Sequence, residues 1–159
     1  MTAYVLVVDD NWMNREVLET FLTTMGYRVG TASSGEKALE MVFAEPPDLV
    51  ILDMRLGNMD GLEVCRRIRA EARTAHIAVV AFTALNADED RQRALDAGVD
   101  DFLEKPFNAI LMRARITSLL RIKRLHDALH VRLPALLAQH VTDQTAADAI
   151  LRNLQDVLK

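Results

Sequence analysis

A single cysteine, Cys65, leaves the chain unable to close an internal disulfide, and a reducing, cytoplasmic setting is expected. The basic excess of a general nucleic-acid binder is also missing, because 19 Lys and Arg face 23 Asp and Glu for a net charge of −4. No apolar run approaches the roughly 20 residues that cross a bilayer, so no membrane partner is expected. The opening stretch Met1–Val8 is apolar but has no basic flank and runs directly into Asp9-Asp10, which does not read as a signal peptide. Against these absences, half of the 159 residues are apolar and 26% are charged, as in soluble globular proteins. The length suits one compact domain with about 35 residues to spare.

Short apolar runs alternate with helical periodicity along most of the chain. Tyr4–Val8 reads as a strand buried on both faces. Met13–Met25 places Val17, Leu18, Phe21, Leu22 and Met25 at helical spacing, and Gly26 closes that helix. Arg28–Ala32 is a strand, and Gly35–Ala44 a helix buried through Ala38, Leu39, Val42 and Phe43, stopped by Pro46-Pro47. Asp48–Leu52 and Ile77–Phe82 are further strands, with helices over Gly61–Glu71 and Ala87–Ala97. A fifth strand spans Asp101–Glu104, and another helix follows Lys105-Pro106. Five such units predict an α/β fold: a five-stranded parallel sheet, doubly wound, whose ligands sit beyond the carboxyl ends of the strands.

The residues that end the strands are therefore the ones to inspect. They are Asp9-Asp10, Asp53, Thr83 and Lys105-Pro106. Three carboxylates in one pocket repel unless a cation neutralises them, and Mg²⁺, a hard ion that takes one or two carboxylates plus waters, fits them. Lys105 adds a positive charge and Thr83 a hydroxyl. The set suits phosphoryl transfer to a carboxylate, with charge on the equatorial oxygens neutralised by the ion and the lysine. Asp53 is the expected nucleophile, because it stands alone at a strand end before a loop, MRLGNMDG, able to curl over the site. Asp9 and Asp10 are better placed as metal ligands. Trp12 is expected beside them, and Cys65 at a core position of the third helix.

The order DD, then D with a downstream MDG, then TA, then KPF resembles the receiver domain of two-component response regulators over about residues 3–124. The resemblance implies a flavodoxin-like fold and phosphorylation of Asp53 by a histidine kinase or phosphotransfer protein. It implies Mg²⁺ held by Asp10, Asp53 and the backbone carbonyl of Arg55, with Asp9 acting through water. Lys105 would contact the phosphoryl group, and Pro106 would follow a cis peptide bond. Thr83 would move toward the phosphoryl oxygens while Phe102 turns inward, and the small Ala84 would leave access to the phosphate. Three positions depart from the commonest family pattern: Phe102 replaces a frequent tyrosine, Gly57 a frequent proline, and Arg55 is long and basic where phosphate lifetime is tuned.

The stretch Met112–Arg124 carries Arg113, Arg115, Arg121, Lys123 and Arg124 and no acid. Receivers of this kind often dimerise through the fourth helix, fifth strand and fifth helix. Asp96, Asp100 and Asp101 are the acidic candidates there, with Asp101–Arg115 the expected bridge, and Ile110, Leu111 and Leu119 the apolar support. An exposed pair of this kind contributes only about 0–1 kcal/mol. ARITSLLRIKRLHDAL further resembles the long helix of receivers that precede cyclic-nucleotide or cyclic-dinucleotide output domains. Ile122, Leu125 and Leu129 keep a coiled-coil spacing before Pro134 interrupts it. Leu133–Val141 and a last helix from Thr145, striped by Ala146, Ala147, Ile150, Leu151, Leu154 and Leu158, complete a helical extension over 125–159. His126 and His130 stand four apart, but without a third ligand they read as surface or interface residues.

The expectation is a stand-alone receiver over 1–124 with that extension, and with no DNA-binding or catalytic output domain. It would signal by phosphorylation-dependent protein interaction, with dimerisation as one output, and would be no metabolic enzyme. The alternative is the N-terminal regulatory receiver of a truncated longer signalling enzyme. A Mg²⁺-dependent phosphohydrolase ranks last, because Arg55 stands where such an enzyme needs a general acid.

Overall fold

A computed structural model describes residues 1–84, 88–140, 151, 152, 154 and 155. Five strands, β1 (Tyr4–Val8), β2 (Arg28–Ala32), β3 (Leu49–Leu52), β4 (Ala78–Thr83) and β5 (Asp101–Glu104), form one sheet in the order β2-β1-β3-β4-β5. Every pairing is parallel. The helices are α1 (Trp12–Thr24), α2 (Gly35–Ala44), α3 (Gly61–Ala70), α4 (Asp88–Asp96), α5 (Ala109–Asp127) and α6 (Leu133–His140).

Strand alternation sends successive side chains to opposite faces and so builds two cores. Val5, Val7, Leu49, Ile51, Val80 and Phe82 pack with Leu18 and Leu22 of α1 and Met112, Ile116 and Leu120 of α5. Leu6, Val8, Val50, Leu52, Val79 and Ala81 pack with α2, α3 and Ala94 of α4. The strands are apolar throughout because both faces are covered. Cys65 is fully buried in the second core, and burial pushes its thiol up to about 11, so it is packing rather than chemistry.

The α1 stripe is narrower than its spacing suggests. Val17 is 51% exposed, and the helix buries Leu18 and Leu22 while Phe21 packs edge-on against Phe107. Phe43 likewise stands 38% exposed at the end of α2 instead of in the core. Gly26 and Gly98 have φ of +87° and +102°, a left-handed backbone that side chains disfavour, and each follows a helix end.

Across the opposite sheet edge from the strand ends already singled out, Arg69 ties three segments together. Its guanidinium donates to the carbonyls of Gly98, Ala75 and Ile77 and pairs with Asp100 at 2.8 Å. Asp100 in turn accepts the backbone N–H of Val79 at 2.8 Å. No sequence pattern announced this staple, because its carbonyl partners carry no side-chain signature.

Two compact units divide within α5, Met1–Leu120 and Arg121–Lys159. In the second, α5 continues into a π-helical turn over Ala128–Arg132, where Leu133 N–H donates to Ala128 O, and then into α6. Pro134 therefore does not break the helical path. It has no N–H, and its ring cannot sit against the carbonyl four residues earlier, so the widened turn before it relieves the clash. His126 and His130 stack with ring centroids 4.1 Å apart. The expected last helix falls mostly outside the described residues, of which Leu151, Arg152, Leu154 and Gln155 are helical.

Arg69→Ala should lower the stability of the unit Met1–Leu120 by about 2–4 kcal/mol, since the carbonyls of Gly98, Ala75 and Ile77 lose a charged donor at once. Chemical denaturation checks it.

Candidate functional site

Parallel register sets the carboxyl ends of β1, β3, β4 and β5 side by side. Asp53 N–H donates to Val8 O at 2.8 Å and Lys105 N–H donates to Thr83 O at 3.0 Å, so each site residue is held by its neighbouring strand. Carboxylate oxygens of Asp9, Asp10 and Asp53 all lie within 4.8 Å of one another, Asp9 and Asp53 buried and Asp10 exposed. Lys105 reaches into this cluster and donates to Asp53 Oδ2 at 3.1 Å and to Asp9 Oδ2 at 3.2 Å.

The electrostatics follow from burial. Asp53 is held above the ordinary carboxylate range, chiefly because it is desolvated. The backbone N–H of Arg55, 3.0 Å from Oδ1, and the Lys105 charge both oppose that rise, and Asp9 adds to it. Burial alone would lower the Lys105 ammonium, but attraction and hydrogen bonds from Asp53 and Asp9 overcome it and hold the group above its usual value. Lys105 is thus a fixed cation beside two buried acids and one exposed acid. Among the described residues Lys105 is the one cation paired with these carboxylates, which leaves room for a second, and an all-oxygen donor set could hold a hard divalent metal.

The loop after β3 explains the MDG element. Asp60 caps α3 by accepting Leu62 N–H at 2.9 Å. Gly61 lies so close to the end of β3 that a Cβ would meet Asp53 O at 2.6 Å and Met54 Cα at 2.7 Å. Both atoms are backbone, so a side chain here must displace the segment that carries Asp53.

The remaining expected residues fall around this centre. Thr83 is buried at the end of β4, with the exposed Ala84 next to it. The Lys105–Pro106 peptide is cis. Phe102 is half-buried on β5, packed against the core, with the Arg91 guanidinium 5.8 Å from its ring centre. Arg55 is exposed beside Asp53, and Trp12 opens α1 at 62% exposure. Asp101 and Arg115 pair at 2.6 Å within one chain, Asp100 pairs with Arg69, and Asp96 accepts from Gln92 at 2.9 Å. As a bridge between subunits, Asp101–Arg115 would have to exchange its partner. Leu119 packs against the core, whereas Ile110 and Leu111 are 81% and 51% exposed.

Three supports escaped the sequence reading. Asn11 caps α1, accepting from Met13 and Asn14 N–H, while its own N–H donates to Asp9 Oδ1 at 2.8 Å. Asn14 Nδ2 donates to Asp9 Oδ2 at 3.0 Å. Arg15 Nη1 donates to the carbonyls of Asp9 and Asp10 at 2.8 and 3.1 Å. One signal was present: an asparagine inside a helix's first turns is a poor helix former and needs a side-chain reason.

A doubly wound sheet with an acid cluster and a lysine at its carboxyl edge is the arrangement of a class of signalling domains, the receivers. Residues 5–117 match the family described as response regulator receiver domain, and the chain belongs to it. It is 42% identical over 132 residues to response regulator PleD of Caulobacter vibrioides, covering 83% of this chain and 29% of that protein. It is 42% identical over 127 residues to response regulator MprA of Mycobacterium ulcerans, covering 80% of this chain and 54% of that one. The chain thus spans between about a third and a half of the curated relatives it matches. Among solved structures, a response regulator from Chloroflexus aurantiacus superposes with a TM-score of 0.73 at 32% identity, over 76% of this chain and 99% of that one. The chemotaxis protein CheY4 of Vibrio cholerae gives 0.72 at 27% identity, over 75% and 99%.

Two outcomes follow from this geometry. Gly61→Ala should destabilise the receiver unit by about 1–3 kcal/mol and weaken divalent-cation binding, because the added carbon pushes on Asp53's own backbone; thermal melts and calorimetry check both. Asp53→Asn should melt higher than wild type near pH 7 in a chelator. A carboxyl whose folded pKa is raised costs nothing below its unfolded pKa, and costs progressively more as pH rises through the folded value. The difference in melting temperature should therefore close as pH falls to about 3.

Proposed function

We propose that Asp53 accepts a phosphoryl group from a phosphohistidine of a histidine kinase or phosphotransfer protein. The observation that carries this reading is the convergence of Asp9, Asp10 and Asp53 around Lys105 at the carboxyl edge of the sheet. An Asp53 oxygen attacks phosphorus, the P–N bond to the donor imidazole breaks, and the imidazole takes up a proton. The product is an acyl phosphate, which water later cleaves to free phosphate and the carboxylate.

Asp10, Asp53 and the Arg55 carbonyl would hold Mg²⁺, with Asp9 acting through water. When bound, the ion supplies charge neutralisation on the equatorial oxygens. Lys105 leaves its shared position between the acids to contact the same oxygens. Thr83 moves to the phosphoryl group, the small Ala84 leaves access to it, and Phe102 turns into the space Thr83 vacates.

The readout is a change in protein–protein contact, with homodimerisation on the face of α4, β5 and α5. A groove of about 560 Å³ opens there, lined by Arg91, Phe102, Glu104, Lys105, Leu111 and Arg115. It joins the lysine of the site and the switching aromatic to an exposed apolar and basic surface, a continuity through which phosphorylation can be sensed. Receiver domains are signalling domains, and the chemistry of Asp53 is that of a phosphoacceptor rather than of a metabolic enzyme.

Incubation with acetyl phosphate and Mg²⁺ should add one base- and hydroxylamine-labile phosphoryl group per chain, lost in Asp53→Asn and on chelation. Light scattering after size exclusion should show a monomer that shifts to a dimer with beryllofluoride and Mg²⁺, and no shift for Asp53→Asn. Labelling that persists in Asp53→Asn sinks the assignment of the acceptor. A mass unmoved by beryllofluoride sinks dimerisation as the output.

A further inference from the structure

Asp9 is 1% exposed, so its carboxylate depends on protein donors. One oxygen, Oδ1, takes the backbone N–H of Asn11 at 2.8 Å. The other, Oδ2, takes two donors: Asn14 Nδ2 at 3.0 Å and Lys105 Nζ at 3.2 Å. The two donors differ in kind. Asn14 is fixed on the first turns of α1, where Asn11 caps its backbone and its neighbour Arg15 binds the carbonyls of Asp9 and Asp10. Lys105 is shared with Asp53 Oδ2 at 3.1 Å and belongs to a long, flexible side chain.

Resting on the phosphoacceptor reading above, we propose that Asn14 is a positioning residue that releases Lys105. When Lys105 turns to a phosphoryl group on Asp53, Asp9 Oδ2 loses one donor. With Asn14 in place a buried carboxylate oxygen keeps a hydrogen bond, and the lysine is free to leave. Without it, each departure of Lys105 strips a buried charged oxygen of its protein donors, a costly state.

The residue type matters for charge. An amide donates without adding a cation, so the acid cluster retains its excess negative charge for a divalent ion. A lysine or arginine at position 14 would hold Asp9 equally well but compete with that ion. An aspartate would supply no donor at all.

This assigns Asn14 to the switching step rather than to metal binding, and the two separate experimentally. In the resting site Lys105 still covers Asp9 Oδ2, so Mg²⁺ binding alone does not call on Asn14 as the sole donor. Beryllofluoride, a phosphoryl mimic, does call on it.

Calorimetric titrations of the full chain would measure Mg²⁺ alone, then beryllofluoride at saturating Mg²⁺, for wild type, Asn14→Leu and Asn14→Gln. Asn14→Leu should bind Mg²⁺ within about threefold of wild type but beryllofluoride about tenfold or more weakly. Asn14→Gln, which keeps the amide, should recover much of that loss. Chemical denaturation in a chelator should find all three folded. Equal weakening of both ligands in Asn14→Leu, or wild-type beryllofluoride affinity, overturns the proposal and leaves Asn14 a structural residue. A wild-type chain that binds no beryllofluoride overturns the phosphoacceptor reading itself, and the role of Asn14 with it.

Discussion

The bridge that Lys105 makes between Asp9 and Asp53 is the interaction around which the functional edge is organised. Two buried carboxylates and one exposed carboxylate within 4.8 Å of one another would repel strongly without a cation among them. Lys105 supplies that cation from the end of β5, and its backbone is pinned to Thr83 of β4. The compensation is incomplete, and incompleteness gives the site its chemistry. A residual negative charge attracts a second cation, and a lysine shared between two acids can be drawn to a third anion.

The fold meets the cost of that edge elsewhere. Strands that are apolar on both faces build two cores, one under α1 and α5 and one under α2, α3 and α4. At the opposite edge, Arg69 satisfies the carbonyls of Gly98, Ala75 and Ile77 and neutralises Asp100. One end of the sheet is thus closed by a fully engaged arginine, and the other is left open with an excess of acids. Ligands gather at the end where strand termini, helix starts and unspent charge coincide.

The same contrast runs through the half-buried residues between the site and the surface. Phe102 lies against the core and under the Arg91 guanidinium, and Arg91 in turn pairs with Glu104. Asp101 is already engaged by Arg115. These pairs are exposed and each is worth little in isolation, which makes the face of α4, β5 and α5 easy to rearrange.

Much of this was legible in the residues. The alternation of buried strands and amphipathic helices determined the parallel sheet, because no other arrangement covers strands that are apolar on both faces. Asp9, Asp10, Asp53, Thr83 and Lys105 were legible because they interrupt apolar runs where each strand must end. Local spacing also exposed the closing glycine of the first helix, Gly26. What the sequence left open was settled by the course of the folded backbone and by contacts between distant segments. Val17 and Phe43 have helical spacing but face outward, since the width of a buried stripe depends on what packs against it. Pro134 reads as a stop, yet a π-helical turn carries the helix past it. Gly61 is a glycine because Asp53's backbone lies against it, and Arg69 acts on Gly98 and Asp100, which folding alone brings near. Periodicity records which side of an element is buried; it does not record which atom will stand opposite, and the donors that hold this site are chosen by that second fact.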